Sequence, residues 1–368
     1  MRLETRNLAV KYRPRVLDDY VGQDHVVSEL KGMFKRGRMP SSILLAGPTG
    51  TGKTTLARII ARYVNCSNPI DGIAPCGECP NCKMVEHPDV MELNAADSRG
   101  IDDIRNLLTV AKNSPMMGEK KIIVLDEAQM LTSQAQNCLL KGLEEPSAST
   151  IWIISSMNAE KLLPAIAGRC SKMVLKTVPP EAMSSRLRRI SRREGLDFKK
   201  IEDGDKVLHT ICNLSGGHMR NAIELLDKAV SYAKMHSRVD ASSLTEIYLQ
   251  SPEAQQEETA AAILSAILSH DQKSMLTAFH KSSVYRDLLY KMRFLVDYIL
   301  HNATGTARFT PHSARLFKTK YKGKISLSEM LKVQMMLAEL EFRMNSQSID
   351  ECILMTSFIG NFIATNAA

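Results

Sequence analysis

Ile43-Leu-Leu-Ala46 runs directly into Gly47-Pro-Thr-Gly-Thr-Gly52-Lys53-Thr54. A short apolar run thus breaks into a glycine-rich octapeptide that fits the pattern G-x-x-x-x-G-K-[ST]. Beyond it, Thr54–Val64 carries Leu56, Ile59, Ile60 and Tyr63 at helical spacing. The order strand, glycine loop, helix is the context a phosphate-binding loop requires. Glycines let successive backbone N–H groups wrap a phosphate, and the helix N-terminus adds positive potential. Lys53 is expected to hold the β- and γ-phosphates of a nucleotide and Thr54 to ligate Mg²⁺. Gly47, Pro48, Thr49, Gly50, Thr51, Gly52 and Thr55 would complete the cradle. A plain glycine turn before a helix is the competing reading, and the preceding apolar strand speaks against it.

Outward from this loop, the runs Val90–Leu93, Ile122–Leu125, Ile151–Ile154 and Met173–Leu175 are short, apolar and partly β-branched. Helical patterns separate them. Such alternation predicts an α/β P-loop domain, with a five-stranded parallel sheet covered on both faces. Pro179-Pro180 interrupts the alternation and sets a boundary. From Glu181 the pattern is helical, with a basic stretch at Arg186–Arg193 and a turn at Gly216-Gly217. Ser251-Pro252 reads as a second boundary, an N-cap followed by proline in the first turn. The expected domains are therefore 1–178, 179–248 and 249–368. In the last of these, Ser326 and Glu329 match a capping box. Met330, Val333, Leu337, Leu340 and Met344 follow as an apolar stripe suited to a core, or to a helix bundle between subunits.

With 368 residues, 44% hydrophobic and 24% charged, the chain has the composition of a soluble protein of two or three domains. Its longest apolar runs fall short of the roughly 18–20 residues that span a bilayer. The first residues mix Arg2, Glu4, Arg6, Lys11 and Arg13 with apolar ones, unlike a secretory signal, so a cytoplasmic location with no membrane partner is expected. The net charge of +8 suits a polyanionic partner, although a solvated basic surface would look the same. Only 5% of residues are aromatic, so nucleic acid would be met through its backbone rather than by base stacking.

Two further clusters carry chemistry. Ile122-Ile-Val-Leu125 ends in Asp126-Glu127, a buried strand delivering adjacent carboxylates in the Walker B manner. Asp126 would hold the Mg²⁺ shell, and Glu127 would act as general base toward the attacking water. Cys66-x9-Cys76-x2-Cys79-x2-Cys82 supplies four thiolates that can close a tetrahedral Zn²⁺ site in an insertion of about 64–86. Four cysteines leave no open coordination position, so such a metal is structural. Unligated thiols, a redox pair and an iron–sulfur cluster are the alternatives. Cys138, Cys170, Cys212 and Cys352 are scattered and read as small core residues.

Taken in order, Tyr12-Arg13-Pro14, Val21-Gly22-Gln23, the P-loop, the cysteine insertion, Leu139–Pro146, Gly168-Arg169-Cys170 and Gly216–Ala222 resemble the clamp-loader AAA+ ATPases over residues 8–230. The insertion after the P-loop helix is similar to that of the bacterial DNA polymerase III gamma/tau subunit and its delta-prime relative. The resemblance implies ATP as the nucleotide and an adenine pocket lined by Tyr12, Arg13, Val21 and Gly22. It makes Arg220 a cis contact to the γ-phosphate, and Arg169 an arginine finger reaching a neighbouring subunit's nucleotide. It implies a helical lid domain, an all-α collar domain and a pentameric assembly with delta, delta-prime-like and further copies of the chain. That assembly would act on a sliding clamp and primer–template DNA. Ser98, Arg99 and Arg105 are the candidate DNA contacts, and Asn158, or Ser156, the candidate sensor at the end of the fourth strand. The sequence departs from the family at Gly168, usually serine, and at Gly142, usually threonine. Its length matches the short gamma-like form. A non-hydrolysing delta-prime-like stator and another AAA+ DNA motor are the competing functions.

Overall fold

The computed structural model describes residues 7–303, apart from 202, 237, 270 and 280–284, and then 313–314, 317–318, 321, 326–346, 354 and 357. All five expected strands form: β1 Ser42–Ala46, β2 Val90–Asn94, β3 Lys121–Asp126, β4 Thr150–Ser156 and β5 Ser171–Val174. They build one parallel sheet in the order β2-β3-β4-β1-β5. The three central strands are apolar on both faces because both faces are covered. At the edge, β2 exposes Met91 and Glu92, and Arg58 closes over Glu92 with two hydrogen bonds of 2.7 and 2.6 Å.

Period-two alternation sorts the strand residues between two cores. Ile43, Leu45, Ile122, Val124, Ile151 and Ile153 face one side, where α1 (Asp24–Lys35) and α2 (Lys53–Val64) bring Leu30, Phe34, Leu56, Ile59 and Ile60. Leu44, Ile123, Leu125, Trp152 and Ile154 face the other. There α3 (Ile101–Ala111) and α4 (Ser133–Glu144) bring Ile104, Leu107, Ala135, Leu139 and Leu143. The helix α2 starts inside the glycine loop, so the apolar stripe Leu56-Ile59-Ile60 that seats it on the sheet also fixes where the loop ends.

The departure at Gly142 has a packing cause. An added Cβ would lie 2.3 Å from Leu108 Cδ2 and 3.3 Å from Trp152 Cζ2. Here α4 lies too close to α3 for any side chain, unless Leu108 moves.

By compactness the described chain forms two units, one of residues 1–190 with 217–224, the other of 191–216 with 225–368. The first contains the sheet and most of α5 (Pro180–Arg193). The second is helical: α6 (Gly204–Leu214), α7 from residue 225 on (whole helix Met219–His236), α8 (Ala241–Leu249), α9 (Pro252–Leu268), α10 (Gln272–Phe279), α11 (Tyr285–Ala303) and α12 (Leu327–Ser346). Ser251 caps α9 by accepting from Ala254 N, as its sequence position suggested. The stripe Met330, Val333, Leu337, Leu340 and Met344 is buried against Ile263, Leu264, Leu288, Met292 and Leu295, so it is core. Of the scattered cysteines, Cys212 is buried, Cys138 and Cys170 are half-buried, and Cys352 lies outside the described residues. Among the described residues no helix is long and apolar enough to cross a membrane.

Gly142→Thr should overpack the α3–α4 contact. The cost of displacing Leu108 exceeds the gain from removing a helical glycine, for a net destabilisation of about 1–2 kcal/mol. A urea unfolding midpoint equal to the parent's would show that Leu108 yields freely.

Candidate functional site

Register brings the chemistry to one edge of the sheet. Ala46 pairs with Ser156 and Asn94 with Asp126, so the C-terminal ends of β1, β2, β3 and β4 lie side by side. The glycine loop leaves β1 at this edge. Gly52 has φ +101, and a Cβ there would meet the Tyr20 ring at 2.8 Å; at Gly47 a Cβ would meet the Leu175 carbonyl oxygen at 2.4 Å. Glycine is required at both positions, once for conformation and once for space.

Asp126 sits at the centre. Its Oδ2 accepts from Thr54 Oγ1 at 2.5 Å, and its Oδ1 accepts from Glu127 N at 3.0 Å and from Ser155 Oγ. Lys53 is buried, its Nζ donating to the carbonyls of Gly47 (2.7 Å) and Pro48 (3.0 Å). Burial pulls the ammonium below its usual range, and the nearby carboxylates of Glu127 and Asp126 push the other way. Glu127 takes a left-handed backbone, φ 55, and its carboxylate accepts from Gln129 Nε2.

Around this centre opens a cleft of about 330 Å³. Of the residues named from sequence, Tyr12, Arg13, Val21, the run Thr49–Thr55, Asp126, Glu127 and Arg220 line it. Arg220 enters from the first turn of α7 and pairs with Glu224 at 3.1 Å. Gly22, Gly47 and Pro48 stand behind the wall: Gly22 packs against Val178, and the other two present their carbonyls to Lys53.

Other named residues lie elsewhere. Asn158 is not in the cleft, because its Oδ1 caps a short turn by accepting from Glu160 N at 3.0 Å. Ser156 Oγ donates to Gln129 Oε1 at 2.9 Å. The polar group at the end of β4 that reaches Asp126 is Ser155. Strand alternation explains the difference: residue 155 continues the face of Ile151 and Ile153, the one that carries α2. Arg169 is partly exposed, outside this cleft, and bonded to Glu144 (2.6 Å) and the Ala165 carbonyl (3.0 Å). Arg99 is exposed and donates to the Ala96 carbonyl, Arg105 is exposed and paired with Asp102 at 2.8 Å, and Ser98 bonds through its backbone to Asn94. Surface ion pairs of this kind are worth about 0–1 kcal/mol, so these guanidinium groups are cheaply re-partnered.

Further residues, given no site role from the sequence, support the cleft or its surroundings. Tyr20 is buried beneath the loop and donates from its hydroxyl to the Thr51 carbonyl at 3.0 Å; burial raises its phenol well above the usual range. Arg186, also buried, holds Asp19 (2.8 Å) and the Tyr12 carbonyl (3.0 Å), anchoring the segment that forms the far wall. Gln23 spans to Lys176 through both its amide atoms. His218 Nδ1 meets the Thr49 carbonyl at 2.5 Å and so carries the proton there. Gln136 is buried in α4 and accepts from Leu163 N at 2.8 Å. A buried glutamine, or an arginine in an apolar helical stripe, was the available signal, but its partner lay far away in sequence.

The four cysteines converge at the far end of α2. Their sulfurs lie within 4.8 Å of one another, and Cys76 Sγ and Cys82 Sγ are 3.9 Å apart. A tetrahedral zinc with arms of about 2.3 Å needs sulfur–sulfur edges of just under about 4 Å, so the donor set fits. Burial pushes the Cys82 thiol up to about 12, whereas at Cys79 backbone N–H groups and neighbouring thiols outweigh burial and bring it down to about 6. Tyr63, stacked on Phe34, ties the module to α1 by donating to the Phe34 carbonyl (3.0 Å) and the Gly72 carbonyl (2.9 Å). Asn81 Nδ2 bonds the Asn65 carbonyl at 2.7 Å.

A family model described as DNA polymerase III, delta subunit, matches residues 22–179. The chain is 35% identical to DNA polymerase III subunit tau of Bacillus subtilis over 60% of its own length and 39% of the relative's. It is 29% identical to DNA polymerase III subunit gamma of Buchnera aphidicola over 86% of each chain. The chain thus spans about two fifths of the longer Bacillus relative. Among solved structures, the RuvB Holliday junction branch migration motor of Thermotoga maritima superposes with TM-score 0.54 at 18% identity, over 85% of this chain and 99% of that one. The fold and its P-loop edge define an AAA+ protein. In sequence, the chain is similar to DNA polymerase III gamma and tau subunits over the shares just given.

Purified chain should contain one zinc, and Cys82→Ser should lose it. Acidification should release the metal as protons compete for the thiolates. Metal analysis across a pH series checks this, and a zinc-free preparation with intact thermal stability would contradict it.

Proposed function

We propose that this chain is a cytoplasmic ATPase subunit of a DNA sliding-clamp loader, using ATP to open a processivity clamp and close it on primer–template DNA during replication. The observation that carries the reading is the contact of Thr54 Oγ1 with Asp126 Oδ2, in a cleft that also collects Lys53, Glu127 and Arg220. In this reading Thr54 and Asp126 hold Mg²⁺, which when bound neutralises charge on the β- and γ-phosphates. Lys53 turns from the loop carbonyls to the phosphate oxygens, at little cost because both settings are buried and polar. Tyr12, Arg13 and Val21 enclose the adenine, with Gly22 behind them in the wall. Glu127 takes a proton from the water that attacks the γ-phosphorus, and Arg220 approaches the γ-phosphate from α7.

Arg169, partly exposed and held by Glu144 and the Ala165 carbonyl, can exchange those partners for the nucleotide of an adjoining subunit. Hydrolysis then depends on how subunits are arranged around the clamp. Ser98 and Arg99, beyond the end of β2, and Arg105 on α3 meet DNA phosphates. The partners are delta, delta-prime-like and further copies of this chain, in a ring built by an all-α collar of residues 249–368, with 179–248 as the lid. The relatives' names, tau and gamma subunits of DNA polymerase III, support partners within that complex. A non-hydrolysing, delta-prime-like stator is the second reading; the matching family model is described only as a DNA polymerase III delta subunit. A nucleotide titration separates the two, because a stator of that kind leaves the cleft empty.

Lys53→Ala should abolish ATP turnover stimulated by clamp and primed DNA. Arg169→Ala should leave nucleotide binding intact and lower turnover of the assembled complex by about 10³-fold. Phosphate release assays with all partners present measure both, and unchanged turnover in Lys53→Ala would overturn the site assignment.

A further inference from the structure

Gln129, two residues beyond the acidic pair, makes contacts that the proposed chemistry has not yet used. Its Nε2 donates to Glu127 Oε2, while its Oε1 accepts from Met157 N at 3.1 Å and Ser156 Oγ at 2.9 Å. The orientation of the amide is fixed by its neighbours. A backbone N–H only donates, so the oxygen must face Met157, and the NH₂ group is left for the carboxylate. Met157 in turn places its sulfur against Thr49 Oγ1 in the glycine loop. A chain of contacts therefore runs from the phosphate loop through the end of β4 to the Glu127 side chain. Glu127 sits in a left-handed backbone conformation that costs about 1 kcal/mol or more, so contacts that fix its side chain matter.

We propose that Gln129 is a positioning residue for ATP hydrolysis: it holds the Glu127 carboxylate in the orientation that receives the water proton, and it registers that orientation against the end of β4 and the P-loop. The inference rests on the reading of Glu127 as general base. Water adds to the γ-phosphorus, its proton passes to Glu127, and the bond to the bridging oxygen breaks with its electron pair leaving on ADP. Gln129 touches none of these atoms and acts only through Glu127.

The test is single-turnover ATP hydrolysis by the full chain, assembled with its partner subunits, for Gln129→Leu, Gln129→Asn, Glu127→Gln and the double variant Glu127→Gln/Gln129→Leu. Leucine removes the amide, whereas asparagine keeps it but falls one methylene short. Both single variants at 129 should bind a non-hydrolysable ATP analogue within about twofold of the parent, because the contact is not made to the nucleotide. Both should hydrolyse ATP about 10²-fold more slowly. In the Glu127→Gln background, Gln129→Leu should cost nothing further, since a residue acting only through the base has no effect once the base is gone. A merely structural role would instead weaken binding and add to the Glu127 defect. Wild-type or faster hydrolysis in both 129 variants, with Glu127→Gln inactive, overturns the inference alone. Undiminished hydrolysis in Glu127→Gln overturns both it and the reading beneath it.

Discussion

Asp126 holds the nucleotide edge of the molecule together. One oxygen accepts from Thr54 at the head of α2, and the other from the Glu127 amide and from Ser155 on β4. Two distant stretches of chain, at Thr54 and Ser155, converge on one carboxylate, and only the Glu127 amide is local in sequence. A carboxylate partly removed from water is costly unless its lone pairs are filled. Here the filling groups belong to the P-loop helix and the neighbouring strand, so satisfying the charge also sets the distance between the two halves of the site.

Constraint continues along α2. Its first turn carries Lys53 and Thr54, its apolar stripe is sealed against the sheet, and its last turn runs into Cys66 and the cysteine cluster. Tyr63 and Asn81 bind that cluster to the carbonyls of Phe34, Gly72 and Asn65. Helix α2 is therefore held at both ends, by the Asp126 carboxylate at one and by the four-cysteine insertion at the other. A structural metal there would resist the fraying that isolated helix ends undergo.

The cleft is assembled from residues far apart in the chain, each held by a buried polar partner. Arg186 anchors Asp19 and Tyr12, Gln23 clamps the segment after β5, and Tyr20 supports the loop from beneath. None of Arg186, Gln23 and Tyr20 needs to touch nucleotide, and only Gln23 belongs to a motif, Val21-Gly22-Gln23. They keep the walls where the motif residues can use them, as preorganisation demands.

Sequence alone determined the parallel sheet, the P-loop and its helix, the acidic strand end and the four-cysteine cluster. Each of these is written in local periodicity or short spacing, where neighbours in the chain are neighbours in space. Strand alternation also held the key to Ser155, since residue parity decides which sheet face a side chain serves. Other matters belonged to the tertiary structure: that Gly142 faces Leu108 across a helix pair, that Asn158 is spent on a cap, and that Gln129 and Arg186 bind residues of the site through distant contacts. Those depend on which distant groups meet at hydrogen-bonding or van der Waals distance. Packing of whole elements decides that, and no window of neighbouring residues contains the information.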